Sequence, residues 1–299
     1  MKQSASYFLL PHKPHLEPVV SAASPSVDVD DETLRKILLQ TPKGLAPGPS
    51  GLRIEHIRAV MEDRKQGVEE GLLEAFTLLA NSAISGRLPL SLQPYLCGGR
   101  LIPVRKKDGG IRPIVVGEVL RSLIAKAALA EMGDGLDGLQ PLQVGVGGQG
   151  PWSQAAIMAV RNWVQDIRNG STRVLAKVDL SNAFNSVHRT SCIDGIRQHA
   201  PGLLTWTRWS LSQTTTVFWD GIHIPCATGV QQGDPCAPAL FSVAIHDILE
   251  ELSRKFPSLQ QVWYLDDGVL FATPDVVESA LSFLEQRLRS KGLTLNQGM

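Results

Sequence analysis

The chain has 299 residues, 43% of them hydrophobic, and its 29 basic residues balance 29 acidic ones. This length and apolar content are sufficient for a globular protein of one large or two modest domains, and they exclude a disordered chain. The balanced charge excludes a general polycationic surface, so any contact with nucleic acid must rest on local clusters of charge.

The four cysteines, Cys97, Cys192, Cys226 and Cys236, have no paired CxxC spacing. They predict neither a zinc site nor a disulfide framework, and they are typical of a reducing compartment. No apolar run approaches the length of a membrane span. We therefore expect an intracellular protein, in the nucleus or the cytoplasm, with no membrane partner.

The predicted elements follow an irregular, proline-containing leader over residues 1–27. A short amphipathic helix is predicted over 34–39, with acidic residues in its first turn. A glycine- and proline-rich loop over 43–52 leads into a helix that starts at Arg53, and another helix with an apolar stripe is predicted over 70–84. We expect these helices to contribute to the core.

Residues 100–116 predict two strands joined by a basic turn that contains Asp-Gly-Gly. Lys106 and Arg112 lie in this hairpin, and such cations suit an anionic ligand because Lys and the planar fork of Arg neutralise phosphate charge. A solvated, charged hairpin is the alternative. The helix that follows carries Arg121 and Lys126, which we interpret as candidate contacts to nucleic-acid phosphates.

Residues 140–151 are rich in glycine, but they lack the spacing and the strand-to-helix context of a nucleotide-cofactor loop. We therefore reject a cofactor role for them. A helix is predicted over 152–167. Four of its side chains are expected to pack in the core: Ala156, Ile157, Val160 and Val164.

A short apolar strand leads to Asp179, and Ser181 and Asn182 then start a helical pattern. Phe184 lies at the beginning of that helix, where a core aromatic is the ordinary interpretation. Further on, residues 214–224 predict a hairpin that turns at Asp-Gly.

A loop over residues 229–233 precedes a helix that begins near Pro235. Gly233 would let the backbone approach a base pair closely, and Gln232 could hydrogen-bond a nucleotide sugar and triphosphate. A plain junction between a loop and a helix is the alternative.

Residues 262–271 place Asp266 and Asp267 between two apolar, β-favouring arms, and the Asp-Gly pair predicts a tight hairpin turn. Adjacent carboxylates repel each other unless a cation neutralises them, and a hard divalent ion bound through oxygen is the usual solution. If the strand that leads to Asp179 lies beside this hairpin, the acids meet at one edge of a sheet. Two ions held there could activate a primer 3′-hydroxyl and stabilise the leaving pyrophosphate of an in-line nucleotidyl transfer.

Three of these segments together resemble reverse transcriptases, most of all those of non-LTR retrotransposons. Residues 264–267 resemble the YxDD box, Asp179 with Ala183 and Phe184 resembles the first aspartate box, and residues 229–235 resemble the QGxP segment. The resemblance implies an α+β, right-hand polymerase fold of fingers and palm, with an antiparallel palm sheet flanked by helices.

The resemblance also implies a domain order. After the leader, residues 28–172 would form an N-terminal extension and the fingers, and residues 173–299 the palm, with some fingers elements interleaved. The motif near the end of the chain normally continues to a lysine where this sequence has Met299, and the thumb is expected to be absent.

The implied activity is RNA-directed DNA synthesis within a retrotransposon polyprotein, with an RNA template, a DNA primer and dNTPs as partners. Asp179, Asp266 and Asp267 are the implied catalytic residues, and together with the backbone carbonyl of Leu180 they would ligate Mg²⁺ or Mn²⁺.

The resemblance implies further contacts to the incoming nucleotide. Lys106 would contact its β- and γ-phosphates, Arg112 its α-phosphate and base, and Phe184 the C2′ position of its sugar. Gln232 and Gly233 would line the same site. Two alternatives stay open: an inactive retroelement remnant that only binds RNA, and an enzyme of the group II intron maturase or RNA-dependent RNA polymerase type.

Overall fold

A computed structural model describes residues 27–62, 67–105, 109–147 and 150–296. The α-helices are α1 (Asp31–Gln40), α2 (Ile54–Met61), α3 (Val68–Ile84), α4 (Gln93–Leu96), α5 (Val119–Glu131), α6 (Trp152–Arg168), α7 (Ala183–Ser186), α8 (Arg189–His199), α9 (Leu204–Leu211), α10 (Ala237–Lys255) and α11 (Pro274–Arg289). The strands are β1 (Gly99–Arg105), β2 (Ile111–Gly117), β3 (Val174–Val178), β4 (Thr215–Trp219), β5 (Ile222–Cys226), β6 (Gln260–Tyr264) and β7 (Asp267–Ala272). Residues 1–26 of the predicted leader, Lys106 and Met299 lie outside the described residues.

The chain divides into two compact units, and each is discontinuous in sequence. The first comprises Met1–Gly133 with Ala200–Ala237, and the second comprises Asp134–His199 with Pro238–Met299. This division interleaves the two halves of the chain. The linear order of fingers and palm therefore stays a prediction.

The first unit contains a four-stranded sheet in the order β2-β1-β4-β5. The predicted hairpin over 100–116 is confirmed as the antiparallel pair β1–β2, and β1 also pairs with β4 in parallel. The second predicted hairpin is confirmed as β4–β5, whose turn residues Asp220 and Gly221 have φ of 46° and 74°. Both central residues are left-handed, as a type I′ turn requires.

Helices α1, α2, α3 and α5 pack together in the first unit. Arg58 on α2 is buried and joins α1 to α2, because its guanidinium donates to the carbonyl of Leu38 at 2.9 Å and to that of Thr41 at 2.5 Å. These carbonyls lie at the C-terminal end of α1, where the last turn has no intrahelical donors. The side chain therefore caps one helix from its neighbour.

The second unit contains a three-stranded antiparallel sheet in the order β3-β7-β6. Helix α6 packs on this sheet, where the ring of Trp163 stacks on that of Phe271 at 5.4 Å and 8°. Helix α11 contacts β3 and β7. The predicted packing role of Ile157 is wrong, because this α6 side chain is 52% exposed.

No helix among the described residues is long and apolar enough to span a bilayer. The four cysteine side chains are buried and unlinked to one another. Burial raises the pKa of the Cys192 thiol to about 12, so this side chain behaves as a small apolar group.

Candidate active site

The strand register brings two of the predicted acids to one edge of the sheet in the second unit. The last residue pair of β3 and β7 is Val178 with Gly268. Asp179 directly follows Val178 and Asp267 directly precedes Gly268, so both acids leave the paired region at the same edge. This antiparallel register supports the prediction that the acids lie at one sheet edge.

The third acid lies in the turn that joins β6 to β7. Tyr264 pairs with Asp267, so the two turn residues are Leu265 and Asp266, and Leu265 has φ of 56°. The prediction that Asp-Gly forms the turn is wrong, because Asp267 and Gly268 belong to β7. A leucine at positive φ is a strained choice that the surrounding contacts must maintain.

Gly268 is required by packing rather than by the turn. A Cβ atom at this position would lie 2.7 Å from the ring of Trp263, the residue opposite it on β6. Trp263 is fully buried. The absence of a side chain at residue 268 therefore allows the indole ring to lie across the strand.

The sheet face that carries Asp267 is accessible at the end near the acids, whereas α6 covers its far end, where Phe271 is buried. Val178, Trp263 and Leu270 lie on the opposite face and are buried. The accessible face presents Tyr264, which is 54% exposed, and Lys177 with Asp267. The Lys177 ammonium lies 3.6 Å from the Asp267 carboxylate, in an exposed ion pair of the kind that contributes little to stability.

Asp179 is held by a segment from the end of the described chain. The side-chain amide of Asn296 donates to Asp179 Oδ2 at 2.8 Å, and its backbone N–H donates to the Asp179 carbonyl at 2.9 Å. Leu180 and Leu295 form an isolated antiparallel bridge beside them. The hydrogen bonds flanking this bridge use the Asp179 carbonyl and the Ser181 N–H, so they leave the Leu180 carbonyl available as a ligand.

The oxygen atoms near this sheet edge are of the kind that a hard cation such as Mg²⁺ prefers. Among the described residues, no three His, Cys, Asp or Glu side chains converge to form a metal cage. Mg²⁺ is commonly held by only one or two carboxylates, with waters and substrate oxygens completing its octahedron. Asp179, Asp266 and the carbonyl of Leu180 are oxygen donors of the type that this ion prefers.

Phe184 lies on α7, shortly after Asp179. Its partly buried ring stacks on the buried ring of Phe241 at a centroid distance of 4.9 Å and an interplanar angle of 23°. This stacking holds the ring against α10 in one orientation. The contact serves core packing and limits the movement of the Phe184 ring.

A second group of predicted residues lies in the first unit, along β2. The N–H of Val115 donates to the carbonyl of Gln232 at 2.8 Å, so the loop runs beside the outer edge of this strand. Gly233 has φ of 119°, and a Cβ atom there would lie 2.4 Å from the Val115 carbonyl. The predicted close approach at Gly233 is thus made to the backbone of β2, the strand that also carries the exposed Arg112.

The role predicted for Arg121 is wrong. This side chain is buried and pairs with the Asp234 carboxylate, and it also donates to Gln231 Oε1 at 2.8 Å and to the Cys97 carbonyl at 3.0 Å. Its guanidinium is therefore committed to the protein interior and is not available to template phosphates. Asp234 also accepts a hydrogen bond from the Cys236 N–H at 2.9 Å.

A cavity of about 340 Å³ lies beside Gly233 in the first unit. Its walls are mainly apolar and include Leu45 and Ile54. Lys126 also lines it, with the ammonium 3.2 Å from the Thr41 hydroxyl, and burial lowers the pKa of this lysine. The cavity thus combines apolar walls with a single identified ammonium among the described lining residues.

Sequence reasoning missed the segment that supports the aspartate turn. The carbonyl of Leu142 accepts from the Trp263 N–H at 2.8 Å, and the Val144 N–H donates to the Trp263 carbonyl at 2.9 Å. A Cβ atom at Gly145 would lie 3.0 Å from the Leu265 side chain. The glycine-rich composition of this segment was the available signal, because glycine often marks a close backbone approach.

Comparison with known proteins identifies the family that carries these features. Residues 104–298 match the family described as "Reverse transcriptase (RNA-dependent DNA polymerase)". The chain is 25% identical over 288 residues to the retrotransposable element SLACS 132 kDa protein of Trypanosoma brucei gambiense, covering 93% of this chain and 23% of that protein. It is 31% identical over 134 residues to a Pol polyprotein from the type-1 retrotransposable element R2 of Nasonia vitripennis, covering 40% of this chain and 13% of that protein. The chain therefore spans less than a quarter of the length of these curated relatives.

Solved structures share the fold at low sequence identity. The apo telomerase of Candida tropicalis gives a TM-score of 0.53 at 10% identity, over 89% of this chain and 61% of that one. The telomerase of Candida albicans in complex with a TWJ fragment of telomeric RNA gives a TM-score of 0.50 at 12% identity, over 78% of this chain and 46% of that one. These similarities confirm the predicted α+β polymerase fold of fingers and palm.

Proposed function

This chain belongs to the reverse transcriptase (RNA-dependent DNA polymerase) family, and on that basis we propose that it copies an RNA template into DNA as part of a retrotransposon protein. One observation carries the proposal. The register of β3 and β7 brings Asp179 and Asp267 to the same sheet edge, beside the turn that contains Asp266. Carboxylates at one edge of an accessible sheet face are suited to nucleotidyl transfer.

We assign the metal ligands of this reaction to Asp179, Asp266 and the Leu180 carbonyl. When bound, Mg²⁺ or Mn²⁺ would activate the primer 3′-hydroxyl and neutralise charge on the leaving pyrophosphate. Asp267 supports the site by drawing Lys177 towards the same face, at 3.6 Å. Tyr264 is exposed on that face, where its ring can contact the end of a DNA primer.

We assign the contacts to the incoming dNTP to the residues that the sequence predicted. Arg112 is exposed on β2, and we assign it with Lys106 to the triphosphate of the incoming dNTP. The Gln232 carbonyl accepts a hydrogen bond from the Val115 N–H, and Gly233 lies against the Val115 carbonyl, so we assign both residues to the nucleotide site beside β2. Phe184 excludes a ribose 2′-hydroxyl by overlap, because its stacking on Phe241 limits its movement.

The RNA template is assigned to the cavity beside Gly233. Its apolar walls suit the face of a base, and the Lys126 ammonium suits a backbone phosphate. The β1–β2 hairpin is assigned to the fingers, and the three-stranded sheet with its acids to the palm.

Primer extension tests the proposal. The chain is mixed with a homopolymeric RNA template, a DNA primer and the complementary dNTP, first with Mg²⁺ and then with Mn²⁺. We expect wild-type extension to be lost in Asp179→Ala and in Asp266→Ala, because each removes a proposed ligand. Asp194→Ala is the matched control, since Asp194 is an exposed acid of the same unit whose carboxylate pairs with Arg197 at 2.5 Å.

Three results would contradict the proposal. Extension by either ligand variant at the wild-type rate would reject the assigned residues. A preference for rNTPs over dNTPs would indicate an RNA polymerase. No incorporation by the wild-type chain, together with measurable RNA binding, would indicate a remnant that only binds RNA.

A further inference from the structure

We propose that Asn296 is a positioning residue that orients the Asp179 carboxylate for metal binding. The inference rests on the proposed function, because it concerns a ligand assigned there. Asn296 is 117 positions from Asp179 in sequence, and its side-chain amide donates to Asp179 Oδ2 at 2.8 Å. No part of the sequence motif around Asp179 predicts this partner.

Backbone hydrogen bonds hold the segment that carries Asn296, and they do not involve its side-chain amide. The Asn296 N–H donates to the Asp179 carbonyl at 2.9 Å, and the Ser181 N–H donates to the Thr294 carbonyl at 3.0 Å. These two bonds flank the bridge between Leu180 and Leu295. The side-chain hydrogen bond is therefore an additional interaction on a segment that is already anchored.

Asp179 needs such a partner because of its place in the fold. It lies one residue beyond the end of β3, outside the paired register that fixes the direction of the strand residues. A carboxylate there can rotate about its side-chain bonds. The Asn296 amide engages Oδ2 and limits that rotation, which leaves Oδ1 as the oxygen not bound by this amide.

The hydrogen bond is made to a charged acceptor, which makes it stronger than a neutral pair. Partners that orient a metal ligand in this way are costly to remove, typically by about 10-fold to 100-fold in metal affinity or activity. Asn296 would thus control the geometry of the first ligand without touching substrate or metal itself.

Mn²⁺ binding to the 299-residue chain tests the inference, because free Mn²⁺ is measured directly by electron paramagnetic resonance. We expect Asn296→Ala to weaken the Asp179-dependent Mn²⁺ affinity by about tenfold. Its thermal unfolding midpoint should stay close to that of the wild type, because the backbone bonds of the bridge remain. Asp179→Ala identifies the binding that belongs to this site.

Two further variants distinguish an effect on the orientation of the Asp179 carboxylate from an effect on the stability of the protein. Leu295→Ala changes the same bridge and keeps the amide, so it should retain near wild-type Mn²⁺ affinity. Asn169→Ala removes an exposed asparagine that accepts from Gln165 at 3.0 Å and should have no effect. In primer extension, Asn296→Ala should need about tenfold more Mg²⁺ for its half-maximal rate while KM for the dNTP is unchanged.

Wild-type affinity in Asn296→Ala, or equal losses in Asn296→Ala and Leu295→Ala, would overturn the role of Asn296 and leave the proposed function intact. Absence of any Asp179-dependent Mn²⁺ binding in the wild type would overturn the assigned metal site and this inference together. The two failures are therefore distinguishable.

Discussion

Arg121 and Asp234 form an ion pair inside the first unit, with side-chain exposures of only 6% and 7%. Gln231 joins this pair, since its side-chain oxygen accepts from Arg121 and its side-chain nitrogen donates to the Cys97 carbonyl at 3.0 Å. The loop that carries Gln232 and Gly233 is consequently fixed from within the protein.

Breaking this pair should destabilise the first unit strongly. Arg121→Met leaves the Asp234 carboxylate buried without its cation, and the loss of one member of a buried pair costs about 3–5 kcal/mol. Urea unfolding followed by tryptophan fluorescence measures the change. Arg197→Ala removes an exposed ion pair and should cost less than about 1 kcal/mol. Equal effects of the two substitutions would refute the importance of the buried pair.

The aspartate hairpin should not tolerate a side chain at residue 268. In Gly268→Ala the new methyl group would lie 2.7 Å from the Trp263 ring, and overpacking of this kind costs about 1–3 kcal/mol. Thermal unfolding by circular dichroism should show a lower midpoint. Gly138→Ala is the control, because a Cβ atom there has no neighbour within 4 Å. A midpoint no lower than that of the control would show that the indole ring yields easily.

Substitution of Phe184 should reduce the discrimination against rNTPs relative to dNTPs. Phe184→Val removes the ring edge but keeps a β-branched, apolar side chain next to Phe241, so we expect relative incorporation of rNTPs to rise by about tenfold or more. Single-nucleotide extension with matched rNTP and dNTP measures the ratio. Phe256→Val, which changes an aromatic contact to Phe283 in the same unit, should leave the ratio unchanged. An unchanged ratio in Phe184→Val would assign this ring to core packing alone.

Buried His246 should make stability fall in mild acid. Its Nδ1–H donates to Gln143 Oε1 at 2.7 Å, a tautomer fixed because Gln143 Nε2 already donates to the Ser242 carbonyl. Burial lowers the pKa of His246, and the neighbouring His199 ring adds to this effect, while Glu250 and Asp247 oppose it.

The sign of the pH effect follows from this lowered pKa. Between the folded-state pKa and the ordinary value of 6.5, the unfolded chain binds a proton that the folded protein does not. The free energy of unfolding should therefore decrease as pH falls below 6.5, by at most about 1.4 kcal/mol for each pH unit. Urea unfolding of wild type and His246→Gln across this range isolates the contribution. Parallel pH profiles of the two proteins would contradict it.

The sequence by itself determined the local elements and the family. Alternating apolar residues around Asp220-Gly221 specify a hairpin, and apolar residues at helical spacing specify α3 and α11, because both patterns depend on neighbours a few positions apart. The two aspartate boxes and the QGxP segment were sufficient to indicate the polymerase family, since each is a short run of residues.

Only the tertiary structure decided the partners and burial of individual side chains. The pattern around Asp267-Gly268 indicated the turn, yet Gly268 lies within β7 against the Trp263 ring and the turn residues are Leu265 and Asp266. Packing likewise buries Arg121 and leaves Ile157 exposed. The bond from Asn296 to Asp179 joins residues that are far apart in sequence. Such contacts depend on which elements pack together, and a local sequence pattern carries no information about that choice.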